Sequence, residues 1–437
     1  MTALVALIAL ITACGISRGR VDLCERGGER SSRGLGFGLW LWLGLGLGLG
    51  DRRYSSSIVG TDGMPGHSDG DGRRCVLRYS LPVTRPTATA PTETVADIVI
   101  VGAGIAGLSC ARTLRAARPG LRVVVVDKAR GVGGRCATRR FDGQPVDHAL
   151  SFLHGSDPGF IDVLNATAGC VEWPRRVVGD GAPCLPRAFE PGERRFAFAA
   201  GLTTFAKGLA AGVELATSAR IVGCEPGRLL AEDGRSFAAP TIIVTAPVPQ
   251  AQALLEELAK GEVARSGRDG DALGRLLEEL GSLSPTPCLT AIAGYSRDRV
   301  APPWDILYPR GDRAIARISH DSSKRSEPQV HALVVQATPS WSIEQLEEPP
   351  AEWGAELLAA AAAHLPQGLG QPLWTFFQRW RYANLGPGER LGSPMMIELD
   401  GGRRLGLTGS AFSAKGGAEG AFLAGVELGE RVLERLG

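Results

Sequence analysis

A chain of 437 residues can bury a sizeable core, and its length suggests two or three domains. With 48 basic against 46 acidic side chains the formal charge is +2, and no basic tract stands out, so nothing points to nucleic acid or an acidic membrane surface. Nine scattered cysteines without a C-x-x-C pair, and six histidines that do not cluster, fit reduced thiols in the cytoplasm and speak against a disulfide framework or a protein-bound metal.

Residues 1–94 read as a low-complexity, disordered or leader extension. "MTALVALIALITACG" opens like an export signal, and Ile11-Thr12-Ala13-Cys14 loosely resembles a lipoprotein cleavage box, yet no Lys or Arg precedes the apolar run. Gly34 to Gly50 is apolar, but it is shorter than the ~20 residues of a membrane span and seven of its 17 residues are glycine. Three readings stay open: an extension ahead of a translation start near Met64 or later, an export or lipoprotein leader, and a membrane anchor. The folded core is expected from Val95 and needs no membrane.

Asp97 to Val101 is a β-branched run, the pattern of a strand buried on both faces of a parallel sheet. Gly102-Ala103-Gly104-Ile105-Ala106-Gly107 follows, then a helical pattern from Leu108 to Ala117. Gly102 permits the sharp turn, Gly104 admits a pyrophosphate to the backbone, and Gly107 lets the helix pack on the strand. The helix start offers free N–H groups and partial positive charge to phosphates. Leu121 to Val126 is the next buried strand, and Asp127 stands where a ribose hydroxyl acceptor is expected, with Lys128 beside it. A second glycine turn follows, carrying Arg130, Gly133, Gly134 and Arg135, so that more backbone N–H and guanidinium can reach a longer dinucleotide. This pair of turns resembles the FAD-binding fold shared by flavin amine oxidases and their relatives, and implies non-covalently held FAD.

Phe196 to Leu255 reads as a unit: a Gly-led helix from Gly201 to Ala211, short strands with turns at Glu225-Pro226-Gly227 and Asp233-Gly234, and an apolar strand from Thr241 to Thr245. In order and pattern it resembles the segment that returns to the FAD domain, where backbone near Arg220 and Ile221 would meet the adenine. Lys260 to Asp271 reads as a polar surface insertion. At the C-terminus a strand ending at Leu407-Thr408 leads into Gly409-Ser410, a glycine-rich turn and a helix from about Ala418. The helix start at Gly416-Gly417-Ala418-Glu419 would favour negative charge on a reduced flavin. Relatives usually have Gly-Asp where this chain has Gly409-Ser410, so Ser410 would hydrogen-bond the ribitol more weakly. Lys415 reads as a loop lysine or a neighbour of the flavin.

The segments "DKARGVGGRCATRR", "VDHALSFLH", "RISHDSSKR", "QATPSWSIEQLEE", "FFQRWRYANLGP" and "GGAEGAFLAG" in this order resemble the bacterial renalase-like family, from Ala96 to Leu433. That resemblance implies oxidation of a dihydronicotinamide isomer or similar small substrate, with oxygen as acceptor. The fold class expected is α/β, an FAD-binding Rossmann-type domain of amine-oxidase or glutathione-reductase type with a mixed-sheet substrate domain. FAD-domain parts fall at 95–165, 196–255 and 386–437, and substrate-domain parts at 166–195 and 256–385. His148, Trp380 and Arg381 are the candidate catalytic residues. Asp147-His148 follows the second turn and could approach the flavin or be a core or surface pair. Trp374, Phe376, Phe377, Trp380 and Tyr382 alternate as on a strand, to wall a pocket or fill a core. Arg379 and Arg381 could receive a substrate phosphate or carboxylate. Arg317, His320 and Lys324 form a second candidate group that reads more readily as a charged strand-to-loop surface. Alternatives are a flavin amine oxidase, a desaturase, and a non-catalytic binding protein on the same fold.

Overall fold

The computed structural model describes residues 57–58, 77–78, 92–179, 193–261, 267–386 and 388–436. The chain forms two compact units, Met1–Thr89 and Ala90–Gly437. In the first, Ser57–Ile58 pairs antiparallel with Leu77–Arg78; the leader, start-site and anchor readings fall on residues outside those described. In the second, a strand already precedes and includes the expected start at Val95: Glu93–Val95 pairs in parallel with Ser236–Ala238.

A six-stranded sheet organises the dinucleotide half. Its order is Glu214–Ala216, Val123–Val126, Ile98–Val101, Thr241–Val244, Arg403–Leu407 and Met395–Leu399, parallel except for the last strand. Ile98, Ile100, Val123 and Val125 pack beneath the helices Ile105–Ala117 and Gly417–Arg435. Val99, Val101, Val124 and Val126 face the helix Val248–Lys260 and the small sheet around Leu229 and Phe237. Both faces are covered, which is why these strands are unbroken apolar runs; each such side chain contributes about 1.5–3 kcal/mol on full burial. The two covering helices meet at Gly425, where a Cβ would lie 2.1 Å from Ser109 Oγ and 2.3 Å from Ala106 O.

The expected insertion at Lys260 to Asp271 is corrected from Gly267 onward. Gly267–Gly281 is a helix with Leu273, Leu276 and Leu280 buried, and the buried Asp269 accepts the Asp400 N–H at 2.9 Å. Its polar opening misled the reading, since the leucine stripe starts only at Leu273.

A second six-stranded sheet runs Val177–Val178, Ile306–Leu307, Ile315–His320, Val330–Ala337, Thr286–Ser296 and Trp374–Asn384. One face packs Leu289, Ala291, Ile318 and Val335 against Trp341, Trp353 and Leu357 of the helices Pro339–Glu344 and Pro350–Ala362. The opposite face meets the segment that leaves the second glycine turn: Val146 packs with Ile292, Ala332 and Val334, and Phe141 stacks on Trp374 with centroids 4.4 Å apart.

A buried charge cluster joins this sheet to the dinucleotide half. Lys324 Nζ donates to Asp147 Oδ2 at 2.7 Å and to Asp321 Oδ1 at 2.6 Å, with all three side chains essentially inaccessible. Arg325 binds the other Asp321 oxygen at 2.8 Å, and Lys324 Nζ lies 4.8 Å from the centre of the Trp173 ring. Burial works against charge on Asp321, yet Lys324 and Arg325 hold its carboxyl below the ordinary range. Replacing Lys324 with Met leaves Asp147 without a cation and Asp321 with Arg325 alone, and we expect a loss of about 3–5 kcal/mol. Urea unfolding of K324M at neutral pH measures it; a change under 1 kcal/mol would show that the cluster is not the joint.

Candidate functional site

The carboxyl ends of Ile98–Val101, Val123–Val126 and Thr241–Val244 open on one edge, where the strand order reverses direction about the first strand, and a parallel sheet places its ligand at such a point. Gly102 has φ +112°, and a Cβ there would come 2.4 Å from Thr245 Oγ1. Thr245 pins the turn, its N–H on Val101 O and its hydroxyl within reach of the Val101 and Gly102 carbonyls. A Cβ on Gly107 would lie 2.1 Å from Gly102 O. These two glycines answer to the protein's own packing. Gly104 does not: its φ is −80°, and a Cβ would meet nothing within 4 Å. The space before Gly104 is open, which is what close approach of a pyrophosphate to the backbone requires.

The second turn closes on the first. Gly133 N–H donates to Ala103 O at 2.8 Å, and a Cβ on Gly134 would lie 3.5 Å from the Gly104 Cα. Asp127 holds both turn regions, Oδ2 accepting from Ala103 N–H and Oδ1 from Ala129 N–H, each at 2.7 Å. Beside it, Ser218 N–H donates to Ala129 O and Ala219 N–H to Asp127 O, so the chain entering Ile221–Glu225 lies along the acid's end of the site. Lys128 reaches Gln250 Oε1 at 3.1 Å; burial, then the neighbouring Arg220 charge, lowers its pKa. Arg130 is exposed and makes no ion pair or hydrogen bond with the described residues.

Arg135, expected to reach a phosphate, has two of its nitrogens engaged within the chain. Its Nη1 donates to Ala383 O at 2.6 Å and its Nη2 to Ser410 Oγ at 2.8 Å, so it ties the second sheet to the C-terminal turn. Ser410 keeps its hydroxyl proton to donate. Gly409, Gly416 and Gly417 carry positive φ ahead of the helix Gly417–Arg435, with Ala418 buried in its first turn. Glu419 in that turn turns inward, accepting from Ser156 N–H at 2.8 Å and from Asp157 N–H and Lys415 Nζ, which places Lys415 on a local ion pair.

Of the three catalytic candidates, two meet and one does not. Trp380 Nε1 donates to His148 O at 3.0 Å, with the rings 5.4 Å apart. His148 is buried, its Nδ1 has no partner, and burial followed by the Arg139 charge lowers its pKa to about 4. Arg381 stands on the opposite face of its strand, where both Nη atoms grip Glu347; Arg379 on that face donates to Glu348 O. Strand alternation puts them there, because Trp380 and Gln378 already face His148 and its neighbours. Trp374 and Phe376 share the Trp380 face and pack with Phe141, whereas Phe377 packs on Trp353.

The reading of "RISHDSSKR" as a charged surface is overturned: Arg317, His320 and Lys324 are all buried. Sequence reasoning also missed Gln336, Thr290 and Thr245. Only the sheet register reveals the first two, which sit in one row with Gln378 and Arg317. Thr245 had a signal, since it follows the apolar strand directly.

Residues 100–167 match the model of the NAD(P)-binding Rossmann-like domain. A Mycobacterium tuberculosis protein named for a flavin-containing monoamine oxidase, AofH, is 42% identical over 77 residues, 18% of this chain and 15% of its own. Pseudooxynicotine dehydrogenase of a Pseudomonas species is 36% identical over 62 residues, 14% of this chain and 12% of its own. The matches thus span 15% or less of these curated relatives. Among solved structures, a putrescine oxidase variant superposes with a TM-score of 0.59 at 14% identity, over 79% of this chain and 100% of that one. Reduced UDP-galactopyranose mutase gives 0.58 at 12%, over 78% and 94%. The fold is the α/β fold of FAD-dependent oxidoreductases. The open space at Gly104, the paired glycine turns and the helix that starts at Ile105 fit FAD.

Two outcomes follow. Gly104→Val leaves the urea midpoint near wild type but abolishes flavin retention, whereas Gly107→Val loses both, because only the latter clashes with backbone. Flavin content and unfolding of the two variants decide it. Separately, His148 and His320 both have pKa values lowered to about 4 from 6.5, chiefly by burial. The unfolded chain therefore takes the proton first, so their stabilisation is complete above pH 6.5 and is lost as the pH falls toward 4. Each accounts for up to about 3 kcal/mol; H148Q/H320Q should flatten the unfolding free energy across that window.

Proposed function

We propose that the protein is an FAD-dependent oxidoreductase of renalase-like type, oxidising a dihydronicotinamide isomer or similar small reduced substrate with dioxygen as acceptor. Bound non-covalently, FAD would supply the two-electron acceptor: a hydride leaves the dihydropyridine carbon with both bonding electrons, the ring becomes the aromatic cation, and dioxygen with that hydride equivalent and one proton gives hydrogen peroxide. FAD-domain parts at 95–165, 196–255 and 386–437 would hold it, with the intervening segments supplying the substrate side.

The observation that carries this reading is the pairing of the two glycine turns with a wall on which His148, uncharged at pH 7, meets Trp380. His148 meets Trp380, whose Nε1 donates to its backbone oxygen, and is kept neutral at pH 7 by burial. A neutral imidazole with its Nδ1 buried packs the wall and is no general acid at that pH. Hydride transfer asks for orientation and exclusion of water rather than acid catalysis. Trp380 fixes the His148 backbone and closes the wall.

A second reading, oxidation of an amine, is favoured by the names of the sequence relatives and of the putrescine oxidase fold neighbour. One anaerobic titration separates them. Isomeric dihydronicotinamides should bleach the flavin band near ~450 nm rapidly, with ordinary NADH slow and primary amines inert. Bleaching by amines alone would replace the renalase-like reading with the second. Trp380→Ala should slow reduction by the isomers about tenfold or more through lost orientation, with FAD retained.

A further inference from the structure

Arg317 is a buried cation without an anion. It is 7% exposed and lies on the face of the second sheet that meets the segment Asp147–Ser151. Its Nε and Nη2 both donate to one neutral acceptor, Gln336 Oε1. Gln336 Nε2 in turn donates to Ala149 O at 2.8 Å, one residue past His148. No carboxylate of the described residues lies within ion-pairing distance of the guanidinium. The contrast within the same hairpin is sharp: Lys324 and Arg325, equally sequestered, are matched by Asp147 and Asp321.

A guanidinium withdrawn from water is costly unless paired, and replacing it by an apolar residue is usually no loss to stability. Gln336 occupies the Nε–Nη2 edge only. The Nη1–Nη2 edge makes no hydrogen bond, and this is the edge that receives a carboxylate or phosphate through two parallel N–H donors. Gln336 stands in register between Arg317 and Thr290, and two residues on from Arg317 the Ser319 hydroxyl meets that of Ser151 at 2.8 Å.

We propose that Arg317 is the anion-recognition residue of the substrate site, taking an oxyanion of the substrate on its free edge while Gln336 sets the plane of the fork and links it to the His148 segment. The proposal rests on the reading of this face as the substrate side, and it adds a class: the substrate carries a carboxylate or phosphate group. Arg379 and Arg381, on the far face, have no part in it.

The test is calorimetric titration of the full-length, FAD-loaded protein with benzoate, its neutral isostere benzamide, and inorganic phosphate. Benzoate or phosphate should bind the wild type, and R317M should weaken that binding at least tenfold while leaving benzamide binding and flavin content unchanged. Which anion binds more tightly identifies a carboxylate or a phosphate source. Should R317M fail to fold, Q336E decides: its carboxylate occupies the guanidinium from within and should weaken anion binding by the same factor. Absence of anion binding to the wild type, equal binding by the variants, or loss of FAD from R317M each overturns the proposal. None of these readouts needs turnover. Anion binding without dihydronicotinamide oxidation therefore sinks only the preceding reading, and oxidation without anion binding sinks only this one.

Discussion

Asp147 is the constraint on which the rest of the molecule turns. Its Oδ1 accepts the Thr138 hydroxyl at 2.6 Å and the Leu202 N–H at 2.8 Å, while Oδ2 takes Lys324. One carboxylate thus fixes the exit of the second glycine turn, the start of the helix Thr203–Leu209 and the hairpin loop of the second sheet. The cluster is neutral as a whole, two acids against Lys324 and Arg325. Burying it yields little net stabilisation, since desolvation consumes most of the Coulombic gain. Its effect is geometric: with both oxygens engaged, the backbone immediately after Asp147 has one course, and that course carries His148 beneath Trp380.

The cradle shows the same economy with glycine. Gly102 and Gly107 are required by contacts within the chain, Gly104 faces open space, and Gly134 is favoured by its φ of +53° where the second turn nears the first. Arg135 then closes the ring of contacts, reaching Ala383 at the end of the second sheet and Ser410 in the C-terminal turn. The second turn therefore serves two ends, closing on the first turn and registering the wall opposite it.

Much of this was legible in the sequence because it is local. A β-branched run, three glycines at fixed spacing and an acid after the next strand report on backbone geometry within some thirty residues, and they located the cradle. The strand Trp374–Asn384 was legible from alternation, but which of its faces looks inward was not. That depends on pairing with Thr286–Ser296, a partner some ninety residues away, and the outward face took Arg381 with it. Likewise "RISHDSSKR" looks like a polar loop; its burial is decided by Asp147 and by register with Val330–Ala337, including a shift between Ile315 and Arg317. Charges that are matched only across long sequence separations leave no mark in a window.

The packing of the C-terminal helix on the first one has a consequence for synthesis. Ile105–Ala117 emerges early, yet the surface it must bury is supplied by Phe422, Gly425 and Leu428. At ~10 residues per second on the ribosome those residues arrive on the order of half a minute later. Through that interval the nascent chain holds a glycine turn whose helix has one apolar side open and a sheet lacking Arg403–Leu407. The early helix therefore keeps an apolar side uncovered until the last element of the fold has been made.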